Sequence, residues 1–527
     1  MTEQNHRREQ VEAIRQSDAS VLRTSAGPGA QPLPRAEACE THTAVLFFTG
    51  DRAYKLKKPV DLEFVDYTTV AARSAACERE VTLNRRFAPD VYLGVGEIRS
   101  PHQAPEPLVV MRRMPADRRL SRLVQDGVAV DNVLRTVARL LAARHADAPR
   151  SREVDEQGSR DALSSRWEAS FAQVRALADD GRVSDGVEEV ERLVRGYLGG
   201  RKRLFDMRIE QGRVVDGHGD LLAEDIFCLE DGPRVLDCLE FDDHLRYVDG
   251  LDDAAFLAMD LEQLGAPEAA AFFLAQYSEY SGDHAPPSLW HHYVAYRAFV
   301  RAKVSLIQAR QGAPGAEAAS RRLVTTALRH LRTSAVGVTL VGGLPGSGKS
   351  TLSGALADRL GVTLLSSDRL RKELAGIPAE ESAAAGYGEG IYTPEWTATT
   401  YANLLDRASA LLSSGESVVL DATWSDAGQR EAALRMAERA GADLVALHCQ
   451  VPGEVSAARL RTRPPGASDA DLDVATAMAA KEPPWTEAVT IDTSGPLESA
   501  VVQALAVVRP YGTVQAPVFR RSRMEPD

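Results

Sequence analysis

The sequence predicts a multidomain protein of α+β and α/β parts: a mixed first two-thirds, then a parallel sheet with helices on both faces. Three observations predict it. The chain has 527 residues, too many for one core, and about 150 residues per domain suggests roughly three units. From Val336 onward, apolar strand-like runs alternate with helix-forming stretches, the rhythm of a covered parallel sheet. Directly behind the first of these runs stands Gly343-Leu-Pro-Gly-Ser-Gly-Lys-Ser350, which fits G-x-x-x-x-G-K-[ST].

The elements follow in order. Residues 1–38 are polar and Gly/Pro-punctuated towards their end, the pattern of a mobile arm. TAVLFFTG, the turn Gly50-Asp51 and RAYKLKKPV form a β-hairpin by turn chemistry. A helix is expected over about Val70–Phe87 and a strand near Leu108–Met111. Ala, Leu, Arg and Glu dominate a helical stretch from about Asp131 to Phe205. A β-rich patch covers Val214–Leu239, and helices return from about Asp252 to Leu331, broken at Gln311–Ala316. VGVTLVGG, VTLLSSD, SVVLDAT, ADLVALHCQV and AVTIDTS are the five strands of the last domain, 333–508. Residues 509–527 read as a loose tail.

Composition narrows the partners. The chain is 44% hydrophobic and 26% charged, ordinary for a globular protein. No apolar run approaches the roughly 18 residues of a membrane span, and MTEQNHRREQ offers no signal core, so the expected setting is cytoplasmic. Cys39, Cys77, Cys228, Cys238 and Cys449 form no C-x-x-C pair and are expected as buried free thiols. A net charge of −13 argues against broad nucleic-acid binding, which depends on neutralising phosphates.

The phosphate chemistry of the last domain can be read residue by residue. Gly343, Gly346 and Gly348 let the backbone curl, with Ser347 between them, so that N–H groups converge on one phosphate. The helix that continues through Thr351 adds the positive end of its dipole. Lys349 would reach the β- and γ-phosphates, and the Ser350 hydroxyl would hold Mg²⁺. ATP and Mg²⁺ are the cofactors this implies. Ligands in such sheets sit beyond the carboxyl ends of the strands, where Asp368 and Asp421 are expected. Asp421 suits a carboxylate that holds Mg²⁺ through water, or a strand-end turn. Asp368 suits a base or a helix N-cap. Arg459, Arg461 and Arg463 follow the fourth strand, and Arg459 and Arg463 lie one helical turn apart. They suit a cationic lid over the transferring phosphate or a solvated face.

GLPGSGKS, the S-S-D-x-x-R-K of Ser366–Lys372 and the V-V-L-D-A-T of Val418–Thr423 resemble the small P-loop kinases related to gluconate kinase, polynucleotide 5′-kinase and zeta toxins. The resemblance covers about 336–508. It implies that Asp368 accepts the proton of a substrate hydroxyl and that Arg371 orients the substrate. It carries the reaction type and leaves the acceptor open.

A second signature stands in the middle of the chain. Gly217-His218-Gly219-Asp220-Leu221 is followed by Asp225 and then by Asp237, at the end of Arg234-Val-Leu. This resembles the catalytic loop and metal site of aminoglycoside-phosphotransferase-like kinases. There the first Asp takes the hydroxyl proton and the later acid ligates Mg²⁺, which makes Asp220 the base, Asp225 and Asp237 the metal ligands and His218 a brace. Lys55 and Lys57 alternate on one face of the hairpin's second strand. Glu80 on the following helix suits a partner that steadies a phosphate-gripping lysine. The plain alternatives are a charged strand edge and a surface helix carboxylate.

Together with THTAVLFFTGDRAYKLKKPVDLEFVDYT, LNRRFAPDVYLGV, VVMRRMPADRRL and LDCLEFDDHLRYVDGLDDAAFLAMDLEQLG, these motifs resemble a bacterial family fusing an aminoglycoside-phosphotransferase-like domain to a C-terminal P-loop kinase. The resemblance implies a bilobal protein-kinase-like fold over 39–332, with a small lobe at 39–112 and a large lobe at 113–332. It places Val109–Met111 at the hinge and makes Asp253 the acid that braces the catalytic loop. The loop departs from the family at Asp225, which replaces the usual Asn. An active second site and a ligand-sensing pseudokinase module both fit that departure. A third possibility is an ATPase switch without a metabolite acceptor. The expected acceptor is a small-molecule hydroxyl.

Overall fold

The first described residues, from Glu37, form a strand that lies partly within the expected arm. In the computed structural model the described residues are 37–41, 43–62, 65–99, 105–177, 184–378, 381–383, 388–462, 470–480 and 483–508. The expected arm up to residue 36, Arg463 and the tail from 509 lie outside them. Packing sorts the described chain into two units, one within 1–157 and 212–283, the other within 158–211 and 284–527. The expected boundary at residue 332 divides the chain differently, because the helices of 158–211 and 284–333 sort with the parallel sheet.

The first unit opens with β1 (Glu37–Glu40), β2 (Ala44–Thr49) and β3 (Arg52–Lys57). β2 and β3 meet in a tight turn at Gly50, whose φ of 55° suits glycine. A two-residue pair, β4 (Asp61–Leu62) and β5 (Val65–Asp66), leads to helix Val70–Asn84, whose first turn is capped by Thr69 accepting from the Ala72 N–H at 3.1 Å. β6 (Tyr92–Ile98) and β7 (Glu106–Arg112) complete an antiparallel sheet of order β1-β2-β3-β7-β6. The core beneath it gathers Ala53, Cys77, Val81, Tyr92, Val109 and Met111. β6 is unexpected from the sequence. Gly94 and Gly96 lower its strand propensity, and a register shift between Tyr92 and Gly94 breaks its alternation.

Below the sheet lie helix Asp131–Asp147 and two small antiparallel pairs: β8 (Val214–Asp216) with β11 (Tyr247–Asp249), and β9 (Ile226–Leu229) with β10 (Gly232–Val235). Helix Gly250–Gln263 is buried from Gly250 to Met259 on every side, which suits its nearly uncharged middle. Its Asp253 is wholly buried and must therefore be fully hydrogen-bonded.

The second unit contains the parallel sheet: β12 (Gly337–Gly342), β13 (Thr363–Ser366), β14 (Val418–Asp421), β15 (Asp443–Gln450) and β16 (Val489–Asp492), in the order β13-β14-β12-β15-β16. β12 is central and buried from Val338 to Gly342. Helices Lys349–Leu360 and Leu497–Val508 pack on Val341, Val419 and Leu447. Alternate residues Leu340 and Leu420 point the other way, towards the side served by helices Pro394–Ser413 and Ala427–Arg439. The chain crosses over to bring β12 between β14 and β15, and the strand order reverses beside the P-loop, where such sheets bind ligands.

Helices Arg160–Leu177, Ser184–Gly199, Lys202–Glu210, Pro287–Arg310 and Ala316–Thr333 join this unit. Trp167 centres their aromatic core, with Phe171, Tyr296 and Phe299 rings 5.1–5.4 Å away. Burial pushes His292 down to about 3, so it stays neutral and its Nε2 accepts from the Trp167 indole at 3.3 Å. The contacts with the sheet domain fall at the amino ends of strands. Ser288 Oγ donates to the Gly415 carbonyl at 2.7 Å, three residues ahead of β14. The Arg201 guanidinium donates to the Ala440 carbonyl, ahead of β15. The P-loop is at the opposite end.

Gly200 has no space for a side chain: a Cβ there would stand 1.8 Å from the Ala440 carbonyl oxygen. Gly200→Ala is therefore expected to destabilise the second unit by about 3 kcal/mol, since backbone has to shift. Denaturant unfolding followed by circular dichroism checks this. An unchanged midpoint would show that the seam yields freely.

Four cysteines are buried and Cys39 is exposed, against the expectation that all five are buried; its edge strand β1 packs neither face. All five tryptophans, Trp167, Trp290, Trp396, Trp424 and Trp485, fall in the second unit. Among the described residues no helix is long and apolar enough to cross a membrane.

Candidate nucleotide sites

In the second unit the P-loop leaves β12 with Gly343 at φ 138°, Gly346 at 79° and Gly348 at 87°. A Cβ on Gly343 would stand 2.6 Å from the Cys449 carbonyl oxygen, so the loop's tightness and its conformation both demand glycine. Lys349 opens the following helix and is largely buried, while Ser350 and Thr351 at its first turn are exposed. Ser347 is buried, and its Oγ has no hydrogen-bond partner in the structure.

Asp421 closes β14 in register with Val341. Burial pushes its carboxyl above the usual range, and Lys349 together with hydrogen bonds from Ser350 and Ser366 partly offsets that. Its Oδ1 is buried without a hydrogen-bond partner. A buried carboxylate oxygen left open beside the P-loop serine has the chemistry to hold a hard cation through water.

Asp368 lies two residues beyond the strand end at which it was expected. β13 ends at Ser366, so Asp368 lies in the first turn of helix Ser367–Leu374. It does not cap that helix, since Ser366 is the N-cap residue. Its charge is close enough to raise both Asp421 and Tyr401. Arg371 is occupied locally: Nη1 donates to the Ile391 carbonyl at 2.8 Å and to Thr397 Oγ1 at 3.2 Å, and its guanidinium lies 5.0 Å over the Tyr392 ring. It holds the 390–397 segment against helix Ser367–Leu374. Arg459 leans on the P-loop backbone, with Nη2 donating to the Thr493 carbonyl at 2.7 Å and Nη1 to Gly346 at 3.5 Å.

Sequence reasoning passed over three neighbours. Tyr401 accepts from the Trp424 N–H at 3.2 Å. Trp424 holds a positive φ of 54°, rare for an aromatic residue. Trp485 lies against Gly342 so closely that a Cβ there would be 2.4 Å from its ring, and Arg430 lies 5.5 Å over that ring. The Pro483-Pro484 pair ahead of Trp485 was the available signal for a fixed aromatic.

In the first unit, β3 and helix Val70–Asn84 bring Lys55 and Glu80 together at 2.8 Å. Glu80 is wholly buried, which removes the surface-carboxylate alternative; Lys57 is 2% exposed, which removes the charged-edge alternative for it. Burial opposes the charge on Glu80, but Lys55 and Lys57 outweigh it and hold the carboxyl low. Lys55 also reaches Asp237 Oδ1 at 2.6 Å. Asp237 holds a φ of 63°, a strained conformation of the kind found at functional sites. Lys55 holds its carboxyl below the usual range.

The loop carrying Asp220 is braced from behind. Asp253 Oδ2 accepts from the His218 N–H at 2.7 Å and Oδ1 from the Gly219 N–H at 2.8 Å. His145 Nε2 meets Asp253 at 3.0 Å and its Nδ1 meets the Tyr277 hydroxyl at 2.9 Å. His218 Nε2 reaches the Leu236 carbonyl at 3.0 Å, tying the loop to the residue before Asp237. Burial pushes the Asp225 carboxyl well up, with Asp237 and Asp220 adding to it. Three acids thus face one region. Among the described residues no group of three His, Cys, Asp or Glu is arranged to hold a metal ion, so a cation here would need phosphate or water oxygens to complete its shell.

Residues 338–484 match the family described as AAA domain. The chain is 42% identical over 477 residues to the uncharacterized protein Rv2004c of Mycobacterium tuberculosis, covering 90% of this chain and 96% of that protein. The same figures hold for the uncharacterized protein Mb2027c of Mycobacterium bovis. Among solved structures, a choline/ethanolamine kinase family protein from Mesorhizobium loti aligns with 62% of this chain and 99% of its own, at 15% identity and TM-score 0.35. A gluconokinase from Sinorhizobium meliloti aligns with 33% of this chain and 92% of its own, at 21% identity and TM-score 0.24. The chain belongs to the family of these mycobacterial proteins, and its P-loop lies within the stretch that matches the AAA domain.

Proposed function

We propose that the protein is an ATP-dependent phosphotransferase that moves the γ-phosphate to a hydroxyl of a small molecule at the P-loop. One observation carries this reading: buried Asp421, its Oδ1 open, stands by Ser350, Lys349 and Asp368 at the carboxyl ends of adjacent strands. The P-loop amides and Lys349 would hold the β- and γ-phosphates. Ser350 and Asp421 would hold Mg²⁺, which would neutralise negative charge on the phosphates. Asp368 would take the acceptor's proton, and Arg459 would keep the loop in shape. The first unit, with its Lys55–Glu80 pair and braced Asp220 loop, supports a second ATP site. The acceptor is a metabolite hydroxyl and not nucleic acid, given the chain's charge of −13.

Asp368→Asn tests the assignment of the base. Product formation across a panel of hydroxyl metabolites, followed by mass spectrometry, should fall about 10²–10⁴-fold. ATP affinity should stay within about twofold, because the change touches proton transfer and not the phosphate cradle. A variant that turns over at the normal rate would remove Asp368 from the chemistry. If the unaltered protein phosphorylates none of the panel and only hydrolyses ATP slowly, the switch reading gains.

A further inference from the structure

Glu80 divides its two oxygens between two lysines. Oε1 meets Lys55 Nζ at 2.8 Å and Oε2 meets Lys57 Nζ at 2.8 Å. Each lysine then reaches one acid of the segment that follows β10: Lys55 meets Asp237 at 2.6 Å, and Lys57 meets Glu240 Oε1 at 2.6 Å. Only the outer branch is sealed. Lys57 is 2% exposed, its ammonium lies 5.1 Å from the Tyr67 ring, and the Tyr67 hydroxyl donates to Glu240 at 3.3 Å. The Asp237 side chain is half-exposed. Arg79, on the same helix as Glu80, donates to the Glu240 carbonyl at 2.8 Å.

The two branches differ in what they can do. A lysine that grips phosphate has to give up Asp237, and Asp237 has to be released to meet a cation. The inner pair is therefore exchangeable. The sealed pair has no such exchange open to it, because water and ligand do not reach Lys57. When Lys55 changes partner, Glu80 keeps its 2.8 Å ion pair with Lys57 on its other oxygen. Without Lys57 that oxygen would be a buried charge with no partner, a state costly enough to turn the carboxylate or its helix away.

We propose that Lys57 is a positioning residue of the first unit's nucleotide site. Together with Glu240 it keeps Glu80 aimed at Lys55 while Lys55 passes from Asp237 to phosphate, and it fastens the segment carrying Asp237 to β3. This rests on the reading that the first unit binds ATP.

The test uses the full chain and an acyl-phosphate derivative of ATP, which acylates lysines held at the phosphates. Labelling of the peptides bearing Lys55 and Lys349 is followed by mass spectrometry, and Lys349 serves as an internal control in the other unit. In the unaltered chain both lysines should label. In Lys57→Met the saturating labelling rate of Lys55 should fall about tenfold, as for outer-shell partners of functional groups. The half-saturating probe concentration should move by less than about threefold, and Lys349 should label as before. Glu240→Gln, nearly isosteric, should slow Lys55 in the same direction and add no further loss to Lys57→Met, because the pair acts as a unit. It decides the matter where Lys57→Met loses the fold of its unit. Undiminished Lys55 labelling in Glu240→Gln and in folded Lys57→Met overturns the proposal alone. If Lys55 in the unaltered chain stays unlabelled while Lys349 reacts, the nucleotide reading of the first unit falls, and the proposal with it.

Discussion

Lys349→Ala is expected to cut phosphoryl transfer at the P-loop by about 10³-fold in kcat/KM, or about 4 kcal/mol of transition-state stabilisation. Two losses combine. The ammonium that would meet the β- and γ-phosphates disappears. The Asp421 carboxyl, already pushed up by burial, also loses the charge that most offsets that burial. A protonated Asp421 is a poor ligand for Mg²⁺, so the cation is weakened along with the phosphate grip. Steady-state rates against ATP and Mg²⁺ should show both, with the Mg²⁺ requirement rising as the pH falls. Transfer that persists within about tenfold would move the chemistry to the other unit.

Asp253→Ala is expected to lower the stability of the first unit by about 3–5 kcal/mol, the cost of breaking a buried charged network. Two backbone N–H groups, of His218 and Gly219, would lose their acceptor, and His145 would lose the partner that fixes its ring. The loop that carries Asp220 would lose its support at the same time. Burial opposes the charge on Asp253, but His145 and His218 outweigh it and hold the folded-state carboxyl far below the ordinary range. Its contribution is thus complete above the unfolded carboxyl pKa of about 4 and is lost as pH falls from there towards the folded value. Urea midpoints compared at pH 7 and at pH 3 check this. At pH 3 the difference between the unaltered chain and Asp253→Ala should narrow; a difference that widens would contradict it.

Local chemistry made much of this legible in advance. Gly50-Asp51 announced the β2–β3 turn, and GLPGSGKS announced a strand, a tight loop and a helix in sequence. Alternation on β3 placed Lys55 and Lys57 on one face, and Glu80 meets both. Other features depend on distant partners and leave no local trace. Nothing in the neighbourhood of Glu240 says that it lies on Lys57, 183 residues away. β6 was hidden because Gly94 and Gly96 remove the side chains on which strand propensity depends. Asp368 slipped from strand end to helix because Ser366-Ser367-Asp368 suits either, and the helix that follows decides. The grouping of helices 158–211 with the parallel sheet was also out of reach. It rests on close backbone approach at Gly200 and on buried Arg201, which read locally as an ordinary Gly-Gly-Arg turn.

The placement of the tryptophans has a spectroscopic consequence. With all five in the second unit, emission excited at the red edge of the protein's absorption reports on the P-loop unit alone, while the first unit contributes only tyrosine. Trp485, against Gly342 and under Arg430, stands beside the phosphate loop and should answer to ligands there. The protein therefore carries its own optical label for one of its two units. A ligand or substitution that shifts ellipticity but leaves this emission unmoved has acted on the other half.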